Sequence, residues 1–329
     1  MRSPDSQEAR SFSAQHGFAL VVVIVIMLLI SFLAGQLIMN VRAELRVAAN
    51  SRDRAAGLAL AHAGVNLALF RILDKPVEIL EDEDEIFVEG YAYDGFLPTG
   101  HFRYYVVNES GKIDLNAFNP TLLEYFLEYM QIDAPEREII IDSLYDWQDS
   151  DNLHRLQGAE LETYQELDDP YIPRNGKMVE PSEFFLVHGT APLAGRFVAG
   201  DVFTTRNRTD KVNFNSLTPL MLDFLTENDE EKKMAYREAQ ELYGNLTEVQ
   251  ARQILGETRF SQVGDALVYS AGNNKFYTVV VRGEPGVDEQ TLIDREEEGI
   301  APPVGHEVRA LFELRGSRIT YYGWQEGWS

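Results

Sequence analysis

The stretch HGFALVVVIVIMLLISFLAGQLIM, residues 16–39, decides how the rest of the chain is read. From Phe18 to Val41 there is no Asp, Glu, Lys or Arg. As a helix rising about 1.5 Å per residue, such a run is long enough to cross a bilayer core of about 30 Å. An ordinary cleaved secretory signal has a shorter apolar region followed by a small-residue cleavage site, a pattern this run does not fit. Arg2 and Arg10 precede it, offset by Asp5 and Glu8, while Arg42, Arg46, Arg52 and Arg54 follow it closely. Counting Lys and Arg alone therefore favours the opposite orientation to the one adopted below.

The helix is expected to continue beyond the apolar run. Residues 40–73 are rich in Ala, Leu and Arg, contain no Pro, and place Leu45, Ala48, Ala49, Ala56, Leu60, Ala63, Leu67 and Phe70 at helical spacings. Asp74 and Lys75 form the exit before Pro76, giving one rod of about 55 residues whose second half is an amphipathic stripe.

The whole chain has 329 residues, enough for two domains or for one domain interrupted by another. Its 53 acidic residues against 29 basic ones give a formal charge of -24. A phosphate backbone needs a basic face, so nucleic acid is excluded as the expected partner and cations are favoured. The absence of cysteine removes disulfides, thiolate nucleophiles and sulfur-ligated metals together.

After the rod, EIFVEGYAY (85–93) and HFRYYVVN (101–108) alternate as strands and are expected to pair across a turn containing Gly and Pro. KFYTVVVRG (275–283), HEVRALFELRG (306–316) and SRITYYGW (317–324) supply three more strands. Between them, PTLLEYFLEYM, REIIIDSLYDWQ and EEKKMAYREAQELYG carry helical patterns. The fold class expected is α+β: a long N-terminal helix packed on an antiparallel sheet that is interrupted by a large, mainly helical insert. Two unrelated domains in series are the alternative, but that would leave the first hairpin short of partners.

The insert contains an echo. GKIDLNAFNPTLLEYFLEY (111–129) and DKVNFNSLTPLMLDFLTEN (210–228) align without a gap. Pro120 and Pro219 suit a first helical turn, with Asn119 or Thr218 as the cap. A shared capping signal or a true duplication would each produce this pattern.

A polar leader ending in Gly17, then Phe18, then an apolar run merging into an amphipathic helix resembles the class III signal of type IV pilins and type II secretion pseudopilins. The resemblance implies that a prepilin peptidase cuts after Gly17 and that Phe18 becomes the methylated mature N-terminus. That family usually carries glutamate at the fifth mature position, where Val22 stands here. The minor pseudopilin that lacks this glutamate is GspK, and the paired phrases of the insert are similar to those of the GspK family.

On that resemblance, residues 1–17 are the leader, 18–75 the membrane-spanning and amphipathic helix, 76–108 the first part of a pilin-like sheet, 109–270 the inserted helical domain and 271–329 the second part of the sheet. It implies a minor pseudopilin of the type II secretion system that forms or initiates the pseudopilus tip. The partners implied are GspI- and GspJ-like minor pseudopilins, the major pseudopilin and secreted substrates. The expected location is the bacterial inner membrane, single pass, with the body in the periplasm. A minor pilin of a type IV pilus would share the anchor and processing.

The densest acidic passage, residues 146–175, holds Asp146, Asp149, Asp151, Glu160, Glu162, Asp168 and Asp169. Hard carboxylate oxygens in a loop between helices suit calcium, although Leu153 and His154 break an EF-hand register begun at Asp149. The GspK family has a similar passage, and the resemblance implies calcium; a solvated acidic loop is the plain alternative. EDEDE (81–85) and DREEEG (294–299) are expected to be solvated loops.

No HExxH, GxSxG, phosphate loop or GxGxxG occurs, so no catalytic residue is nominated and the chain is not read as an enzyme. A different class of reading is a membrane-anchored periplasmic hydrolase using carboxylates of the acidic loop, such as Asp149 and Glu160.

Overall fold

The computed structural model of the chain describes residues 12–73, 87–300 and 305–328. Helix α1 spans Phe12–Leu73. It thus begins inside the segment read as a leader and stops just short of the expected exit, which lies outside the described residues together with the acidic run 81–85. Residues to Ala56 and from Gly57 onward form two compact units. In the first, the apolar side chains from Leu20 to Val47 are all exposed along the helix.

The second unit begins with the last part of α1. In chain order there follow β1 (Tyr93–Leu97), β2 (Gly100–Asn108), β3 (Ile113–Asp114), α2 (Pro120–Tyr129), α3 (Ala134–Gln148), α4 (Leu161–Gln165), β4 (Phe203–Thr204), β5 (Val212–Asn213), α5 (Pro219–Thr226), α6 (Glu230–Tyr243), α7 (Glu248–Leu255), α8 (Glu257–Val263), β6 (Leu267–Val268), β7 (Phe276–Pro285), α9 (Glu289–Glu298), β8 (His306–Arg315) and β9 (Arg318–Trp328).

Five strands form one antiparallel sheet in the order β1-β2-β7-β8-β9. Strands remote in sequence, β2 and β7, pair directly, so everything from Glu109 to Lys275 is an insertion between neighbouring strands. Period-two alternation puts Phe102, Tyr104 and Val106 of β2, Val279 and Val281 of β7, and Val308, Ala310 and Phe312 of β8 on one face. Against that face α1 buries Leu60, Ala61, Val65, Ala68, Leu69 and Ile72, a stripe advancing by three and four residues. Phe70, one of the apolar residues at helical spacing, lies off this stripe and is 59% exposed. The approach is close because a Cβ at Gly64 would overlap Val281 Cγ1 and lie 2.8 Å from Phe102 Cδ2.

The insert has its own core, in which Leu123, Phe126, Leu144, Phe184, Phe203, Phe214, Phe224 and Leu225 are fully buried. Phe126 sits edge-on to both Phe203 and Phe224, at 5.6 and 5.4 Å between ring centres. The two echoed phrases have the same structure. Asn119 caps α2 by accepting from Leu122 N, and Thr218 caps α5 by accepting from Met221 N. β3 and β5 each pair in parallel with a two-residue strand, β4 and β6. Asn116 Nδ2 donates to Met178 O while its Oδ1 accepts from Met178 N; Asn215 does the same with Leu246.

Insert and sheet are joined by a buried polar hub. Glu109 accepts from Lys112 Nζ and Thr278 Oγ1 on one oxygen, at 2.5 and 2.6 Å, and from Thr204 Oγ1 on the other at 2.5 Å. Arg309 of β8 pairs with Asp201 of the insert, and Asn108 N donates to Ser216 Oγ at 2.6 Å.

Two local expectations are corrected. The strand expected over 85–93 is displaced: β1 is Tyr93–Leu97, within what was read as the turn, and 87–92 form no strand. Gly90, at φ 82 and packed on Leu217 O, bends the chain, and the two-residue turn at Pro98 and Thr99 fixes the register Tyr93 opposite Tyr104. The acidic residues 294–298 are not loop but the end of α9. Asp288 caps that helix through Thr291 N and Oγ1, and Gly299 at φ 63 follows its end.

Candidate functional site

The acidic passage is built by α3 and the loop after it. Helical spacing carries Asp146 into the core side of α3, where it is fully buried, and Asp149 follows as the C-cap with its N–H on Tyr145 O. The chain then turns back on side-chain contacts to α3: Arg155 N donates to Asp146 Oδ2 at 3.0 Å and Gln157 N to Asp142 Oδ2 at 3.1 Å. Gly158 passes so close that a Cβ there would overlap Asp146 Oδ2. This return brings Glu160, the N-cap residue of α4, to the buried acids.

Asp146, Asp149 and Glu160 each present an oxygen, all within 4.8 Å of one another. Asp146 Oδ1, Asp149 Oδ1 and both oxygens of Glu160 are buried without a hydrogen-bond partner. Burial, then the charge of Asp149, pushes the Asp146 carboxyl above the usual range, opposed by the Arg155 N–H. Burial, then Asp146, Asp149 and Asp151, pushes Glu160 up likewise. Arg155 Nε approaches Asp146 Oδ1 at only 3.8 Å, and its guanidinium lies over the Tyr145 ring at 4.2 Å. Next to Asp146 in α3, Trp147 is buried and packs edge-on to Tyr164 at 5.4 Å.

The other nominated carboxylates stand outside this group. Asp151 is exposed and accepts from Leu153 N at 2.9 Å, though it is near enough to act on Glu160. Glu162, Asp168 and Asp169 are exposed. Asn175, at φ 45, ties back to Asp151 O and Asn152 Oδ1 through its amide nitrogen, and its own Oδ1 is buried without a partner. Neither it nor Gly158 was nominated from sequence, where an amide and a glycine carry no charge signal.

Oxygens that are hard, anionic, buried and unpartnered fit a divalent cation such as calcium, which takes carboxylate and amide carbonyl ligands. They fit hydrolysis poorly. Carboxyls of a glycosidase must flank a sugar from opposite sides, whereas these three converge on one buried point.

At the other nominated site, Gly17, Phe18 and Val22 all lie within α1, with Val22 one turn beyond Phe18. Phe18 is 74% exposed and Val22 lies on the exposed apolar surface.

Residues 106–195 match the family described as type II secretion system (T2SS), protein K. The fold is similar to a chain in the crystal structure of the GspK-GspI-GspJ complex from the enterotoxigenic Escherichia coli type 2 secretion system. That match has a TM-score of 0.50 at 16% identity and covers 86% of this chain and 99% of that one. No curated protein sequence matches the chain. A long apolar helix whose C-terminal turns lie on an antiparallel sheet, with a helical domain inserted between two paired strands, is the architecture of this chain. The family match over residues 106–195 and the likeness in fold together support a GspK-type minor pseudopilin of the type II secretion system.

Proposed function

We propose that this chain caps or initiates the pseudopilus tip, in company with GspI- and GspJ-like subunits and joined to the major pseudopilin. The observation that carries the reading is the pairing of β2 with β7 around an insert larger than the sheet itself. A domain of that size repeated along a tightly wound bundle of rods would collide with its neighbours; one copy at an end would not. The apolar surface of α1 rests in the inner membrane first and later packs on other rods, with the body in the periplasm. The work is structural rather than enzymatic, and exported proteins are its further partners.

Entry into the fibre requires the leader to be removed. Intact mass of membrane-extracted protein, with and without prepilin peptidase, is expected to show loss of residues 1–17 and a methyl group on Phe18; an unchanged mass sinks the reading. Site-specific crosslinking from the insert is expected to trap one copy per fibre, and ladders of the insert along the shaft would overturn the tip assignment.

Asp146, Asp149 and Glu160, with the Asn175 carbonyl as a further oxygen, are the residues that would hold calcium. The ion would neutralise carboxylates that otherwise repel one another and so fasten the loop 149–160 to α3. Titration calorimetry of the chelator-treated chain with calcium tests this, and an absence of heat removes the ion from the account.

A further inference from the structure

A chain of net charge -24 gathers cations in one place. A cleft of about 850 Å³ beside the end of the sheet is lined by Arg206, Arg208, Lys275 and Arg315, with Glu313 its sole carboxylate among the described residues. Glu313 is already engaged by Arg315 Nε at 2.7 Å. Lys275 feels Glu313 by charge alone, Arg208 meets a carboxylate only through its backbone N–H on Asp114, and no ion pair to the guanidinium of Arg206 or Arg208 is found among the described residues. The rest of the lining is largely amide and hydroxyl, including Asn207, Asn273 and Asn274.

Arg206 is held ready rather than left loose. Its guanidinium lies over Phe276 at 5.5 Å and over Tyr322 at 5.1 Å, and its Nε is buried without a hydrogen-bond partner. Aromatic faces fix the plane of a guanidinium but do not neutralise it, so the edge remains available for bidentate pairing with a carboxylate.

Arg206 and Tyr322 also line a second, mainly apolar cleft of about 320 Å³, where Phe185, Val198 and Leu311 contribute to the wall. The two clefts thus share a boundary, basic and hydrogen-bonding on one side and apolar on the other. Both also border β9, one of the two edge strands of the sheet. We propose that this trough binds an extended acidic peptide segment, with carboxylates on Arg206, Arg208 and Lys275 and an adjoining apolar side chain in the smaller cleft. Charge complementarity selects the acid, the paired clefts select alternating acidic and apolar side chains, and the large open volume suits a polypeptide better than a lone oxyanion. The inference depends on these side chains alone and not on the position of the subunit in a fibre.

The test uses the full chain in nanodiscs of zwitterionic lipid, with a fluorescent Asp-Leu-Glu-Asp-Leu-Glu peptide as the probe. Saturable binding is expected at low salt, weakening steeply as salt is raised to about 0.5 M, where screening reaches only a few ångströms. Arg206→Gln and Lys275→Gln are each expected to weaken it roughly tenfold, the loss of one charged contact. Lys275 is exposed, so its variant keeps the fold even if removing Arg206 disturbs the stack. Equal binding of the amide peptide Asn-Leu-Gln-Asn-Leu-Gln, or unchanged affinity in Lys275→Gln, overturns the proposal. Displacement by inorganic phosphate as effective as by unlabelled acidic peptide also overturns it, in favour of a simple oxyanion site.

Discussion

The carboxylate of Glu160 faces that of Asp146, with oxygens within 4.8 Å and no proton donor to either oxygen of Glu160. Burial, with the charges of Asp149 and Asp142, holds Asp146 above its ordinary range, and burial, with the charges of Asp146, Asp149 and Asp151, does the same for Glu160. For such groups the cation-free protein binds protons more tightly folded than unfolded, so their contribution to stability is present below about pH 4 and is lost as pH rises through the folded values. Chelator-treated protein should therefore unfold at a higher temperature at pH 5 than at pH 7. Calcium binds the ionised form, so at about a hundred times its Kd it should add about 2.7 kcal/mol at pH 7 and progressively less on acidification. Glu160→Gln should raise the chelated melting temperature at pH 7 and abolish the calcium shift. Thermal scans at the two pH values, with and without chelator, check all three outcomes.

Asn116 and Asn215 occupy the same place in the two echoed phrases, each clamping the backbone of a distant residue from both sides. Asn215 also donates to Tyr269 O and is 8% exposed, whereas Asn116 is half-buried. Replacing either by Ala orphans a backbone N–H and C=O, at about 1–3 kcal/mol. Asn215→Ala should lie at the upper end and Asn116→Ala at the lower, read as separate shifts in denaturant midpoint by near-ultraviolet dichroism. Equal costs, or none, would show that the clamps do not hold the insert.

How much of the fold is legible in the sequence depends on which signals are local. The apolar run, the caps at Asn119 and Thr218 and the alternation in β2, β7 and β8 are written in adjacent residues. The displaced β1 is not, because Gly90 bends against Leu217, a residue more than a hundred positions away. The α9 cap at Asp288 was legible, but the density of acids beside it reads as loop. At the acidic passage the chemistry was visible and the selection was not: only the return of the chain at Gly158 distinguishes Glu160 from exposed Glu162, Asp168 and Asp169.

Glu109 and Lys112 form a buried pair, each 2% exposed, at the point where the insert leaves the sheet. Glu109→Ala strands an ammonium in the interior whose one remaining partner among the described residues is Thr278 Oγ1 at 3.4 Å. A loss of about 3–5 kcal/mol is expected, and the Glu109→Ala, Lys112→Met double variant should be less damaged than the sum of its singles. Denaturant unfolding of the four proteins closes the cycle; strict additivity would mean that the pair does not couple sheet to insert.

His101 stands between two carboxylates, Nε2 2.6 Å from Asp94 Oδ1 and Nδ1 3.4 Å from Glu284 Oε2, and so ties β1, β2 and β7 together. Burial acts to lower its pKa, but the bonds to Asp94 and Glu284 outweigh this and hold it above its ordinary value of about 6.5. Asp94 moves the other way: burial is outweighed by its bonds to His101 and Arg103, and its carboxyl is held below its ordinary range. The histidine's contribution is complete below about pH 6.5 and disappears as pH rises through the folded value. That of Asp94 is present above about pH 3.9 and disappears as pH falls through its lower folded value. The hairpin should accordingly be tightest between these limits. An NMR titration of the His101 ring is expected to show a midpoint above 6.5, with amide protection in β1 falling above it. In His101→Gln that protection should no longer vary with pH over this range, and a ring midpoint at or below 6.5 would mean that the two carboxylates do not hold the proton.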